Sequence, residues 1–152
     1  AQRAQLRLVV RGNHDPAGAS FSSAFCPATA TSFSVTGADG RLWTIGLVPY
    51  SRKASVSLPD ADVVAMHVPP AHTLDRCASG VHAGSPTIRR VLERKEKKPC
   101  AVLCGHIHEA AGVGRFCFRP RKNMQANSTV VINAANANPG TAKRLVNGPI
   151  LL

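Results

Sequence analysis

The chain has 152 residues, 44% of them hydrophobic, with 19 Lys and Arg against 8 Asp and Glu for a formal net charge of +11. That is the size of one domain with enough apolar material for a single core, and no apolar run approaches the roughly 18 residues a spanning helix needs. A balance this basic favours anionic partners such as phosphate esters, nucleic acid or an acidic membrane surface, while aromatics at 5% give little support to base-stacking platforms. A soluble protein is expected, with the cytoplasm the favoured compartment.

In chain order, L-R-L-V-V (Leu6 to Val10) reads as a strand that runs straight into R-G-N-H-D-P (Arg11 to Pro16), and Ala17 to Thr31, small and polar, reads as loop. Apolar and polar residues alternate on either side of Gly37-Ala38-Asp39-Gly40, which predicts a hairpin whose second arm is Leu42 to Val48. D-V-V-A-M-H-V-P-P predicts a short strand ended by Pro69, with His67 at its carboxyl end. Ser85-Pro86 opens a helix through Ile88, Val91 and Leu92 to about Lys98, stopped by Pro99, and the mixed charges of Arg89 to Lys98 read as its solvated face. C-A-V-L-C-G-H-I-H follows as a buried strand, Arg119 to Gln125 as a solvated hairpin connection, and Thr129 to Ala135 and Pro149 to Leu152 as two more strands. The pattern predicts an α/β domain of layered mixed β-sheets flanked by helices.

Five cysteines at irregular spacing, in a chain large enough to fold without staples, predict reduced and mostly buried thiols. A zinc site grouping Cys100 and Cys104 with His106 and His108 is the alternative, but V-L-C-G-H has the look of a buried strand in which Cys is a small hydrophobe.

Three strand ends deliver metal-competent side chains: Asn13 with His14 and Asp15, then His67, then His106 with His108. In layered α/β folds such ends converge on one edge, where ligands bind. His106 and His108, two residues apart, point to one face of a regular strand. Any one of these features alone is more often structural, and their coincidence is what points to a metal site.

G-N-H-D at Gly12 to Asp15, the histidine before P-P at His67, and G-H-I-H at Gly105 to His108 resemble, in order and spacing, the later signature blocks of the calcineurin-like metallophosphoesterases. H-V-P-P, L-D-R, H-A-G-S, C-G-H-I-H-E-A-A-G, I-N-A-A and N-G-P-I extend the resemblance to the branch of small metallophosphoesterase-domain proteins. The resemblance implies a calcineurin-like fold and hydrolysis of a phosphate ester, a phosphodiester first of all and with nucleotides among the candidates, at two divalent ions of Mn, Fe, Zn or Ni. It implies Asn13, His67 and His106 as ligands of the second ion and His108 as a ligand of the first. His14 would meet the phosphoryl group or protonate the leaving alcohol, with Asp15 orienting its imidazole. Glu109 and His82 would stand behind these residues, His82 equally well in a structural role, and His72 reads as exposed loop without a role.

The family's first two blocks, an Asp-x-His and a Gly-Asp, should precede G-N-H-D, but the eleven residues before Gly12 contain no Asp, Glu or His. By the resemblance, the first ion then lacks its aspartate and histidine, and the carboxylate shared by both ions is absent. A chain that has lost its N-terminal portion is the expectation, leaving a sheet edge and an apolar face in need of cover. Two competing functions are a binding or regulatory descendant of the same fold and, from the charge alone, a basic nucleic-acid-binding domain.

Overall fold

In the computed structural model, residues 7–15, 24–51, 55–118 and 128–135 are described. Alternating apolar and polar residues build the predicted hairpin, in which β1 (Thr31–Thr36) and β2 (Leu42–Val48) pair antiparallel with Thr36 opposite Leu42. The chain reverses over residues 37–40, where Asp39 Oδ1 accepts from the Arg41 amide at 3.0 Å and Gly40 takes φ 77°. That left-handed conformation is why glycine stands there.

Next to β2 come β3 (Val63–Met66), β4 (Ala101–Cys104) and β6 (Ser128–Asn133), all parallel, and β5 (Gly112–Cys117) closes the sheet antiparallel to β6. The result is a six-stranded mixed sheet with four parallel strands at its centre. One helix, α1 (Pro86–Arg94), makes the crossover from β3 to β4. Ser85 caps it, its Oγ accepting from the Ile88 amide at 3.2 Å, and Pro86 occupies the first turn where no amide is missed.

The helix buries Ile88 and Leu92, four residues apart, against Val64, Met66, Val102, Cys104 and Val131 on one face of the sheet. The other face carries Phe33, Ile45, Val63, Ala65, Leu103 and Val130, all half-buried, beside the buried Leu47 and Ile132, and α1 does not lie on it. An α/β domain with one apolar face packed and the other partly open is therefore present. Among the described residues no helix is long and apolar enough to cross a membrane.

Several expectations need correction. Of the strand expected over Leu6 to Val10, the described residues 7–10 form only a single bridge, Leu8 to Phe25, through Val9 N to Phe25 O at 2.9 Å and Phe25 N to Arg7 O at 2.8 Å. The helix stops at Arg94, where Lys95 leaves the helical conformation, and Lys98 folds back to donate Nζ to the carbonyls of Leu92 and Glu93 at 2.8 and 2.9 Å, supplying partners that the final turn lacks. The basic residues expected as a solvated face have partners: Arg89 on the helix binds Glu93 and the Ala71 carbonyl, and beyond its end Lys95 binds Asp60 and Lys97 binds Asp62. β5 was not predicted. The expected connection at Arg119 to Gln125 and strand at Pro149 to Leu152 lie outside the described residues, as do residues 17–23 of the expected loop.

All five thiols are free, but only Cys104 is buried. Cys100 donates to the Asp62 carbonyl at one end of β4, whereas Cys104 donates to the Ile132 carbonyl at the other, roughly 13 Å away for four strand residues. Two thiolates on one zinc ion cannot stand that far apart, which rules out the zinc alternative, and burial pushes the Cys104 thiol up to about 12.

Leu92 is 0% exposed at the centre of the helix–sheet contact, so Leu92→Ala is expected to cost about 2–5 kcal/mol in urea unfolding. A loss below about 0.5 kcal/mol, the range of surface substitutions, would contradict this packing.

Candidate functional site

The parallel strands release their carboxyl ends at one edge, so His67 leaves β3 beside the Gly105–His108 turn that leaves β4. Gly105 N donates to His67 O at 2.9 Å, adding a rung beyond the two strands. The His67 and His106 rings consequently lie with centres 4.7 Å apart and planes inclined by 59°.

A third element comes from the first described segment. Tyr50 N donates to Arg11 O at 2.9 Å, fastening the loop to the end of β2, and Asn13 Oδ1 lies 2.7 Å from His67 Nε2. An amide oxygen only accepts, so with this contact Nε2 carries the ring proton. Gly12 lies against the same ring: a Cβ there would stand 2.8 Å from His67 Cε1. Tyr50 meets the ring edge-on, with centroids 5.7 Å apart.

Burial pushes the His67 imidazole down to about 4, and the neighbouring charge of His106 adds to the effect while Asp15 opposes it. Burial likewise lowers His106, helped by His108 and His14. Both rings are thus held neutral with lone pairs available to an electrophile. Asn13 and His106 thus adjoin His67, and the charges of His14, Asp15 and His108 act on these rings from nearby. His106 takes φ 71°, a conformation uncommon for a non-glycine residue, as the chain turns away from β4.

The supporting residues are arranged differently from expectation. Asp15 Oδ2 accepts from the Gly12 amide at 2.7 Å, closing its own loop, and among the described residues it makes no bond to the His14 ring. Glu109 faces outward and accepts from the Ala78 amide at 3.4 Å, tying the His108–Ala110 turn to a neighbouring loop. Those two amides, its own and that of Ala78, hold its carboxyl below the usual range. His82 does not join these rings; it pairs with Asp75 at 2.6 Å.

Asn133, which sequence reasoning missed, braces the site from within. Fully buried at the end of β6, it donates Nδ2 to the carbonyls of Ile107 and Leu74 at 2.8 and 3.1 Å and accepts from the Ala135 amide at 3.1 Å. The signal was present in T-V-V-I-N, a polar residue ending an apolar run as His67 does.

A cleft of about 590 Å³ opens beside the rings, lined by His67, His106, Arg11, Tyr50, Met66 and Ser85 among others. Arg11 gives it a cation and Tyr50 an aromatic wall. Among the described residues no three His, Cys, Asp or Glu side chains are grouped to hold one ion. Asn13 supplies the third donor: two neutral imidazoles and an amide oxygen suit a borderline divalent ion, which would enter between Asn13 and His67 by displacing their hydrogen bond. The donor set therefore fits one such ion. Compared with family models, with curated proteins and with solved structures, the chain finds no match.

Because the folded-state pKa of His67 lies near 4, below its ordinary 6.5, the folded chain binds fewer protons than the unfolded one between those values. Stability is accordingly complete above about pH 6.5 and falls as the pH drops toward about 4. Urea unfolding across this window should show the fall, with a shallower slope in His67→Gln; equal slopes would contradict the burial of this imidazole.

Proposed function

We propose that the chain is a metal-dependent phosphoesterase with a calcineurin-like fold, acting on phosphodiesters. The observation that carries this reading is the meeting of Asn13, His67 and His106 from three distant segments, Oδ1 to Nε2 at 2.7 Å and ring to ring at 4.7 Å. These three residues would hold one divalent ion of Mn, Fe, Zn or Ni. When bound, the ion supplies a Lewis acid for phosphoryl oxygens and a nucleophile at neutral pH.

The chain's own residues do the rest. His14 lies exposed on the Arg11–Asp15 loop, within electrostatic reach of both rings, where an imidazole can protonate a departing alkoxide. Gly12 and Asp15 hold that loop in shape through the Gly12 amide. Arg11 in the cleft attracts an anionic ester, and the +11 charge of the chain works in the same direction.

A second reading, a binding or regulatory protein on the same scaffold, is favoured by one feature of the sequence. It contains neither an Asp-x-His nor a Gly-Asp, so the first ion's own ligands and the carboxylate that dinuclear centres of this kind share have no counterpart in these residues. Without it, nothing offsets the repulsion between two dications at short range.

The test is Mn²⁺-dependent hydrolysis of bis(p-nitrophenyl) phosphate by this chain and by a version carrying the sequence upstream in the same gene. The expected result is turnover in the extended form that stops with EDTA and falls about 10²–10⁴-fold in His14→Ala. Absence of turnover in both forms with Mn²⁺, Fe²⁺, Zn²⁺ and Ni²⁺ would contradict the proposal and favour the binding role.

A further inference from the structure

A second pair of imidazoles lies outside that centre. Asp75 is 1% exposed and both its oxygens are engaged: Oδ2 accepts from the amides of His72 and Gly84 at 2.8 and 3.0 Å, and Oδ1 meets His82 Nδ1 at 2.6 Å. Burial opposes a charged carboxylate there, but the bonds from His82 and the two amides outweigh it and hold Asp75 below the usual range. An ionised carboxylate only accepts, so Nδ1 is the donor, and in the neutral ring the lone pair sits on Nε2. The His82 side chain is 44% exposed, and the His72 ring stands against it with centroids 4.7 Å apart.

The loop that builds this cluster is strained and tightly fitted. His72 and Leu74 take φ 62° and 50°, left-handed conformations uncommon in non-glycine residues, on the approach to Asp75. Position 84 admits only glycine, since a Cβ would stand 2.6 Å from Asp75 Oδ2 and 2.8 Å from the Pro70 carbonyl. Satisfying the loop amides alone would not call for a solvent-facing imidazole on the other oxygen of the carboxylate. Holding an imidazole from behind with a carboxylate, its second nitrogen left open, is how proteins present histidine to a metal ion.

The second ring decides between a proton relay, which needs one imidazole, and a chelate, which needs two. Imidazole nitrogens about 2.0–2.1 Å from a shared ion put their ring centres roughly 5 Å apart, close to the 4.7 Å found. We propose that His72 and His82 form a second, surface site for a divalent transition-metal ion of the Zn²⁺, Ni²⁺ or Cu²⁺ class, with Asp75 positioning His82. Water completes the shell. Arg76, bridged to His82 along the backbone, turns its Nε onto the Gly80 carbonyl at 3.3 Å. The site is separate from the cleft, which Ala83 and Ser85 line while the alternate residues His82 and Gly84 face Asp75.

Each of the six histidines gives its own imidazole proton signal, so Cu²⁺ titration followed by NMR reads the two sites independently. Paramagnetic broadening of the His72 and His82 signals at one and the same Cu²⁺ ratio is the expected result. In His72→Ala the His82 signal should need on the order of tenfold more Cu²⁺ for the same broadening, and His82→Ala should do the same to His72. Either signal remaining sharp while Cu²⁺ is in excess, or an unchanged His82 response in His72→Ala, would overturn the proposal whatever His67 and His106 do.

Discussion

The hydrogen bond from Gly105 N to His67 O, at 2.9 Å, is the constraint from which the site follows. It exists because β3 and β4 are parallel and in register, Ala65 opposite Leu103, so that their chains leave the sheet side by side. Once the two exits are tied, the His67 and His106 rings have little choice but to lie together, and Asn13 and Gly12 can close on His67 from the far side. The register in turn rests on the packing of Ile88 and Leu92 against Val64, Val102 and Val131. A left-handed His106, costing on the order of 1–3 kcal/mol, persists because Asn133 and the β4 ladder fix the backbone on both sides of it.

The two histidine clusters use desolvation in opposite ways. At the cleft, burial and like charge keep His67 and His106 neutral, with an uncharged amide as the polar partner. In the His72–Asp75–His82 cluster, three donors keep a buried carboxylate charged, and it orients an imidazole that reaches solvent. In each cluster one ring has a fixed polar partner on one nitrogen, Asn13 at His67 Nε2 and Asp75 at His82 Nδ1, and metal-binding imidazoles are oriented by bonds of this kind. Their backbones are linked through Asn133, which holds Ile107 beside one cluster and Leu74 beside the other.

Much of this could be read in the sequence, and the failures have physical causes. The hairpin, β3, β4, β6 and the start of α1 were legible because alternation, β-branched runs and a Ser-Pro cap are local signals. The convergence of Asn13, His67 and His106 was anticipated because each follows an apolar run and parallel strands share an edge. G-V-G-R-F-C was missed as β5 because its two glycines and arginine carry no strand pattern; pairing with β6, Gly112 opposite Asn133 through Cys117 opposite Ser128, makes it one. Leu6 to Val10 was overread, since apolar character alone does not supply a neighbouring strand. The partnership of Asp75 with His82 depends on a loop folding back over seven residues through left-handed His72 and Leu74, which no periodicity reveals.

The central claim is that the Asn13–His67 hydrogen bond occupies the place where a divalent ion binds. Long-range ¹H–¹⁵N correlation of the histidine rings tests it directly. Without metal, His67 should be neutral at about pH 7 with its proton on Nε2, as its bond to Asn13 Oδ1 requires. On addition of Zn²⁺ the proton should move to Nδ1 as Nε2 takes the ion, with His106 responding at the same metal ratio. A His67 ring that keeps its Nε2 proton in excess Zn²⁺ would contradict the account.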